Sequence, residues 1–131
     1  MTGEKILIVE DNAIVALETK ERLKKLGYTI AGVVGTGRDA IKMACATQPN
    51  LILMDINLKG DIDGITVAEQ IAGTCHAPII YITAYSNEGT KARAMKTKPV
   101  AFLVKPFREQ ELYNSIEIAL GTAGNQYPQR T

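Results

Sequence analysis

The sequence has little that would mark a nucleic-acid binder, a zinc protein or a membrane protein. Its 15 basic and 14 acidic residues leave a formal net charge of +1, whereas a dedicated nucleic-acid binder is usually markedly basic. The single histidine, His76, and the two cysteines, Cys45 and Cys75, do not have the spacing of a zinc site. No apolar stretch approaches the roughly 20 residues that cross a bilayer, and the strand-like run that starts at Ile6 leaves no room for a signal peptide. We therefore expect a cytoplasmic domain that contacts neither nucleic acid nor membrane and keeps both cysteines as free thiols.

What the chain does have is a regular alternation of short β-rich apolar runs and helical stretches. Its 131 residues, 46% of them hydrophobic, suit one domain with a real core. The pattern predicts strands at 6–9, 28–34, 51–54, 79–83 and 101–104. Helices are predicted at about 12–26, from 36 to before 49, and at about 63–72, 87–96 and 108–120.

Five βα repeats of this length predict an α/β three-layer sandwich. Its parallel sheet would have the flavodoxin-like strand order 2-1-3-4-5, with right-handed crossovers and helices on both faces. This domain would occupy residues 1–120. The polar segment 121–131 has no periodicity, so we expect it to be a disordered tail or a linker.

Four of the predicted strands end in polar groups that would meet at one edge of the sheet, namely Glu10 with Asp11, Asp55, Thr83 and Lys105. That edge is where open α/β sheets bind ligands. Carboxylates about 4 Å apart repel each other by about 4 kcal/mol at an effective dielectric constant near 20, which favours a bound cation between them. Hard oxygen ligands without His or Cys select Mg²⁺, or Mn²⁺ in its place.

Thr83 and Lys105 add a hydroxyl and an ammonium that can hold the oxygens of a phosphoryl group beside such a cation. Taken singly, a solvated acid, a strand threonine or a surface lysine has an ordinary structural explanation; their combination favours a site. The chain has no Walker loop and no G-x-G-x-x-G motif, so nucleotide binding is not supported. An Asp beside Mg²⁺, Thr and Lys without a nucleotide cradle suggests that an Asp of this edge is itself phosphorylated.

Four short motifs carry a resemblance to a known family: Val9-Glu10-Asp11-Asn12, Leu53-Met54-Asp55-Ile56-Asn57, Ile82-Thr83-Ala84 and Val104-Lys105-Pro106-Phe107. They resemble the motifs of response-regulator receiver domains of two-component signalling. Each motif alone is weak, but the four in this order and at these intervals are specific. The resemblance extends over about residues 4–120.

The resemblance implies a role for each residue at the sheet edge. Asp55 would be the phosphoacceptor, and Lys105 would contact the phosphoryl group. The implied Mg²⁺ ligands are Glu10, Asp11, Asp55 and the backbone carbonyl of Asn57. Thr83 would move to bond the phosphoryl group, and Phe102 would swing inward with it, although a plain core phenylalanine explains Phe102 equally well.

The same resemblance implies the partners and the type of activity. The phosphoryl group would come from a histidine kinase or a histidine phosphotransfer protein, because His76 falls in the connection before the fourth strand, far from the acids. The output partner is unknown. The chain would be a switch with limited autophosphorylation and autodephosphorylation, not a metabolic enzyme. The Lys105–Pro106 bond matches a position that is cis in the family.

Some features depart from the family pattern or vary within it. The loop 57–63 lacks the proline that many receivers have there and is one residue longer than the commonest form, so its conformation stays open. A calcium EF-hand is excluded, because Thr66 stands where the loop needs a Glu and Lys59 where it needs an oxygen ligand.

Tyr85 lies where it would influence phosphoryl lifetime. The basic residues of the fourth helix form a solvated face by default, or dock an acidic partner; they are Lys91, Arg93, Lys96 and Lys98.

Two alternative functions remain at this stage. One is a phosphatase or phosphotransferase with an Asp nucleophile; such enzymes usually carry a second Asp two residues on, where this chain has Asn57. The other is a pseudo-receiver that acts as a constitutive docking module, against which the intact acids, threonine and lysine argue.

Overall fold

Strands and helices alternate through the computed structural model, which describes residues 4–84 and 87–121. The strands are β1 (Lys5–Val9), β2 (Thr29–Val34), β3 (Leu51–Asp55), β4 (Ile79–Thr83) and β5 (Ala101–Val104). The helices are α1 (Ala13–Lys25), α2 (Gly37–Thr47), α3 (Gly64–Thr74), α4 (Glu88–Lys96) and α5 (Glu109–Ala119). Tyr85 and the predicted tail from residue 122 onward lie outside the described residues.

The five strands form one parallel sheet in the order β2-β1-β3-β4-β5. The predicted flavodoxin-like topology is therefore confirmed. All residues of β3 and β4 are buried, as is typical of the central strands of a parallel sheet that helices cover on both faces. One core cluster packs α2, α3 and α4 on one face of the sheet, and a second packs α1 and α5 on the other.

Most helices begin at a polar residue whose side chain caps the first turn. The side-chain oxygen of Asn12 accepts from the N–H groups of Ile14 and Val15, and Thr36, Asp63 and Asn87 cap their helices in the same way. The start of α5 differs, because the Glu111 carboxylate accepts from the Arg108 N–H instead. Since these caps follow the carboxyl ends of the strands closely, they hold the chain turns around the polar edge in place.

The two cysteines form a disulfide, so the expectation of free thiols is wrong. Cys45 lies in the last turn of α2 and Cys75 is the residue that ends α3. The two helices pack on the same face of the sheet, which brings the Cα atoms to 5.3 Å, within the range of a disulfide. The residues are 30 positions apart in the sequence, so only the tertiary packing reveals the pair.

A buried polar pair lies away from the polar edge. The hydroxyl of Tyr28, just before β2, donates a hydrogen bond to the carboxylate of Glu117 on α5. Burial, reinforced by the Glu117 charge, raises the pKa of Tyr28. The contact ties α5 to the start of β2 and gives the buried carboxylate a partner.

Across the described ranges, none of the helices has the length and apolar content needed to cross a bilayer.

Candidate functional site

The register of the strands gathers the three acids at one place. Val9 pairs with Met54 in adjacent parallel strands, so Glu10 and Asp11, which follow β1, stand beside Asp55 at the end of β3. One oxygen from each carboxylate can be chosen so that all three lie within 4.8 Å of one another. Asp55 is buried, with 8% of its surface exposed. The cluster predicted from the strand ends is therefore present.

Lys105 reaches the cluster from the end of β5. Its ammonium donates to Oε1 of Glu10 at 3.1 Å. Its own main-chain N–H donates to the carbonyl of Thr83 at 2.8 Å, which fixes it beside β4. The Lys105–Pro106 peptide is cis, as the family resemblance implied. The Lys105 ammonium, three carboxylates and the Thr83 hydroxyl thus share the sheet edge.

The environment of Asp55 disfavours its ionised form. Burial, followed by the negative charge of Glu10, raises the pKa of Asp55 to about 7, and the Asn57 N–H and the Lys105 charge oppose this only in part. Oδ1 of Asp55 accepts the Asn57 N–H at 3.1 Å. The fold therefore holds this carboxyl where a proton or a cation is needed to compensate its charge.

Thr83 is fully buried, and Asn57 provides one of its contacts. The side-chain Nδ2 of Asn57 donates to Oγ1 of Thr83 at 3.3 Å. Only the backbone carbonyl of Asn57 was predicted to take part in the site, so this contact of the side-chain amide was not foreseen. The signal was the position of an Asn two residues beyond Asp55, but the direction of its side chain depends on how the loop folds.

Phe102 is half-buried between the core and α4. Its ring centroid lies 6.2 Å from that of Tyr81 and 5.8 Å from Nζ of Lys91. The Tyr81 hydroxyl is 2.7 Å from Oγ1 of Thr97 at the end of α4. This placement is compatible with both the switch and the core interpretation of Phe102.

The basic residues of α4 are exposed, as predicted, but two of them also make contacts. Lys91 lies over the Phe102 ring, and Arg93 pairs with Oδ2 of Asp63, the residue that caps α3, at 3.1 Å. His76 is exposed in the connection before β4, at the opposite end of that strand from Thr83.

The loop 57–63 crosses the end of β1. Lys59 forms an isolated parallel bridge with Thr36, the residue that caps α2. The Lys59 N–H donates to Oδ2 of Asp11 at 3.0 Å. Asp61 pairs with Arg38 at the surface. The conformation that the sequence left open is thus a loop docked on the start of α2.

A cavity of about 350 Å³ opens beside the cluster on the side of α1, away from the loop 57–63. It lies between α1 and the segment 105–107, and Asp55 and Lys105 form part of its wall.

Comparison with known proteins gives one consistent family. The family model described as the response regulator receiver domain matches residues 6–117. The chain is 37% identical over 116 residues to the transcriptional regulatory protein PdtaR of Mycobacterium tuberculosis, an alignment that covers 88% of this chain and 56% of the relative. It is 29% identical over 115 residues to the chemotaxis protein CheY of Thermotoga maritima, covering 87% of this chain and 95% of the relative. The chain spans about half the length of the first of these relatives.

Solved structures give the same result. The signal receiver domain of a modulated diguanylate cyclase from Desulfovibrio desulfuricans G20 superposes with a TM-score of 0.84 at 37% identity, covering 89% of this chain and 93% of that one. The receiver domain of the sensor histidine kinase PA1611 from Pseudomonas aeruginosa PAO1, solved with a magnesium ion coordinated in its active-site cleft, gives a TM-score of 0.81 at 30% identity. That alignment covers 91% of this chain and 98% of the neighbour.

Proposed function

We propose, since the chain belongs to the response regulator receiver domain family of two-component signalling, that it accepts a phosphoryl group on Asp55 in a Mg²⁺-dependent reaction. The observation that carries the proposal is the cluster of Glu10, Asp11 and Asp55, whose oxygens lie within 4.8 Å of one another beside Lys105. The domain that does this comprises residues 1–120, and we expect it to act in the cytoplasm.

The donor set fits Mg²⁺, because it offers carboxylate oxygens without His or Cys. Glu10, Asp11, Asp55 and the backbone carbonyl of Asn57 would hold the ion, or Mn²⁺ in its place. Once bound, the cation supplies the positive charge that favours the ionised form of Asp55 and attracts phosphoryl oxygens. The magnesium ion in the cleft of the PA1611 receiver, a neighbour at 30% identity, supports this assignment.

The reaction proceeds by nucleophilic attack of Asp55. A carboxylate oxygen forms the new O–P bond while the P–N bond to the donor histidine breaks, and the departing imidazole nitrogen takes up a proton. The Lys105 ammonium stabilises the negative charge on the transferred oxygens. The donor histidine comes from a histidine kinase or phosphotransfer protein, since His76 lies at the far end of β4.

The phosphorylated state differs from the resting state around Thr83. Its hydroxyl bonds the new phosphoryl group and gives up the contact with the Asn57 amide, which is 3.3 Å long in the resting structure. Phe102, packed below α4, moves inward into the space that Thr83 leaves. The change alters the face formed by α4, β5 and α5, by shifting an equilibrium that exists before phosphorylation. Slow hydrolysis of the acyl phosphate resets the switch.

Incubation with acetyl phosphate and Mg²⁺ tests the proposal. We expect intact-protein mass spectrometry to detect one phosphoryl group per chain, which Asp55→Asn abolishes. Asp61→Asn is the matched control, because Asp61 is an exposed acid in the loop that follows β3 and lies outside the cluster. Incorporation of one phosphoryl group by Asp55→Asn at the wild-type rate would refute the assignment.

A further inference from the structure

We propose that the main-chain N–H of Lys59 is a positioning group for the cation site, because it holds Asp11 in the orientation that binds Mg²⁺. The inference rests on the proposed function, since it concerns the affinity of the same cation site. It gives the loop 57–63 a role in setting the cation concentration at which the switch can be phosphorylated.

The path of the loop aims this N–H at Asp11. In the sheet, β2 and β3 are the two neighbours of β1. The segments that follow them meet beyond the end of β1, where Thr36 and Lys59 form their bridge. Asp11 lies at this crossing, and its Oδ2 accepts the Lys59 N–H at 3.0 Å. Because a carboxylate has two oxygens, one can accept from Lys59 while the other faces the cluster.

Shape, more than surface charge, holds the loop in this position. Leu58 and Ile62 are partly buried and pack against the core. Gly37 leaves the space that Ile62 fills, because a β-carbon there would lie 2.6 Å from Cγ1 of Ile62 and from Cγ2 of Val67. The Arg38–Asp61 pair also spans the loop and α2, but its side chains are 71% and 63% exposed, so it contributes little.

A hydrogen bond that holds a metal ligand in place affects metal affinity. Hydrogen-bond partners of metal ligands orient those ligands in advance, and their removal typically weakens metal binding by about 10- to 100-fold. Asp11 follows β1 on a chain turn, so its side chain would otherwise lose rotational freedom only when the cation binds. The Lys59 N–H restricts that freedom beforehand.

Two substitutions at the same position separate the N–H from the lysine side chain. Lys59→Pro and Lys59→Ala both remove the ammonium group, but only proline removes the N–H. In calorimetric titrations of the full chain with MgCl₂, we expect Lys59→Ala to bind within about twofold of the wild type, and Lys59→Pro to bind roughly tenfold more weakly. Urea denaturation of both variants reports whether each is folded. If folded Lys59→Pro binds Mg²⁺ as tightly as Lys59→Ala, or more tightly, the inference is wrong.

A second pair of variants tests the loop if proline prevents folding. Gly37→Ala forces Ile62 or Val67 to shift and so displaces the loop or α3, whereas Gly73→Ala on the exposed side of α3 meets no atom within 4 Å. We expect weaker Mg²⁺ binding for Gly37→Ala alone, and equal affinities for this pair would also overturn the inference. Asp11→Asn separates the role of the Lys59 N–H from the existence of the cation site. Loss of binding in Asp11→Asn with normal binding in Lys59→Pro refutes the inference alone, whereas absence of Mg²⁺ binding in the wild type refutes the proposed function as well.

Discussion

At the scale of single residues, Asp55 shows how the proposed chemistry and the stability of the fold oppose each other. The carboxyl group is buried beside Glu10, and its pKa is raised to about 7. Without a cation, ionisation of Asp55 therefore costs free energy that the unfolded chain does not spend. Buried carboxyl groups with such an unfavourable ionisation are expected where the charge is needed for binding or reaction.

The raised pKa of Asp55 predicts a dependence of stability on pH. The unfolded chain releases this proton near its ordinary pKa of 3.8, while the folded chain retains it to about pH 7. Between these values the folded state binds more protons, so the free energy of unfolding falls as the pH rises. In urea denaturation with a chelator, we expect the wild type to lose more stability than Asp55→Asn between about pH 5 and pH 8, and Mg²⁺ to reduce the difference. Equal losses in both proteins would contradict the raised pKa.

The hydrogen bond from Asn57 to Thr83 predicts a change in the switching equilibrium. A neutral hydrogen bond contributes about 0.5 to 1.5 kcal/mol, so Asn57→Ala should favour the state in which Thr83 has moved by up to about tenfold. The substitution keeps the backbone carbonyl assigned to the cation. We expect tighter binding of beryllofluoride with Mg²⁺, measured by titration. The effect should vanish when Thr83→Ala is also present, and an equal effect in that background would assign it to another contact.

At the scale of elements, Asp63 connects two helices. Its Oδ1 accepts the Thr66 N–H at 2.9 Å and so caps α3, while its Oδ2 pairs with Arg93 of α4. The cap should contribute about 1 kcal/mol, and the partly exposed ion pair about 0.2 to 1 kcal/mol. We therefore expect Asp63→Ala to lower the free energy of unfolding by more than Arg93→Ala does. Urea denaturation of the two variants gives the comparison. Because Asp63→Ala removes both contacts and Arg93→Ala only the ion pair, equal effects would mean that the cap adds nothing to stability.

The elements were largely predictable from the sequence because each has a local cause. Apolar runs identified β3 and β4. Asn12 and Thr36, whose side chains can cap a helix, marked the starts of α1 and α2. The acid cluster followed from the strand ends and the strand order. The path of the loop 57–63 and the Lys59 N–H did not follow, because they depend on packing against the start of α2. The direction of the Asn57 amide did not follow either, because it depends on how the loop folds.

The prediction of free thiols was wrong for a related reason. Cys45 and Cys75 lie in no motif, and their proximity results from the contact between α2 and α3. Compartment and spacing therefore favoured free thiols, whereas the tertiary structure joins them.

At the scale of the whole molecule, the disulfide closes a loop that contains β3 and Asp55. With the cysteines 30 positions apart in the sequence, loop-closure entropy predicts a stabilisation of about 3 to 4 kcal/mol. We expect a reducing agent to lower the urea midpoint of the wild type. The control is the double variant Cys45→Ser with Cys75→Ser, whose midpoint should not respond to the reducing agent. An unchanged wild-type midpoint would show that the link adds nothing to stability.

The bridge between Thr36 and Lys59 also bears on the direction from which another protein would reach Asp55 under the proposed function. On the β2 side, the docked loop covers the end of β1. On the opposite side, the cavity of about 350 Å³ between α1 and the segment 105–107 has Asp55 and Lys105 in its wall. If Asp55 accepts the phosphoryl group as proposed, we expect the donor histidine to approach from the α1 side, where this cavity opens beside Asp55. We therefore expect a donor to be selected by the surface that it presents to α1.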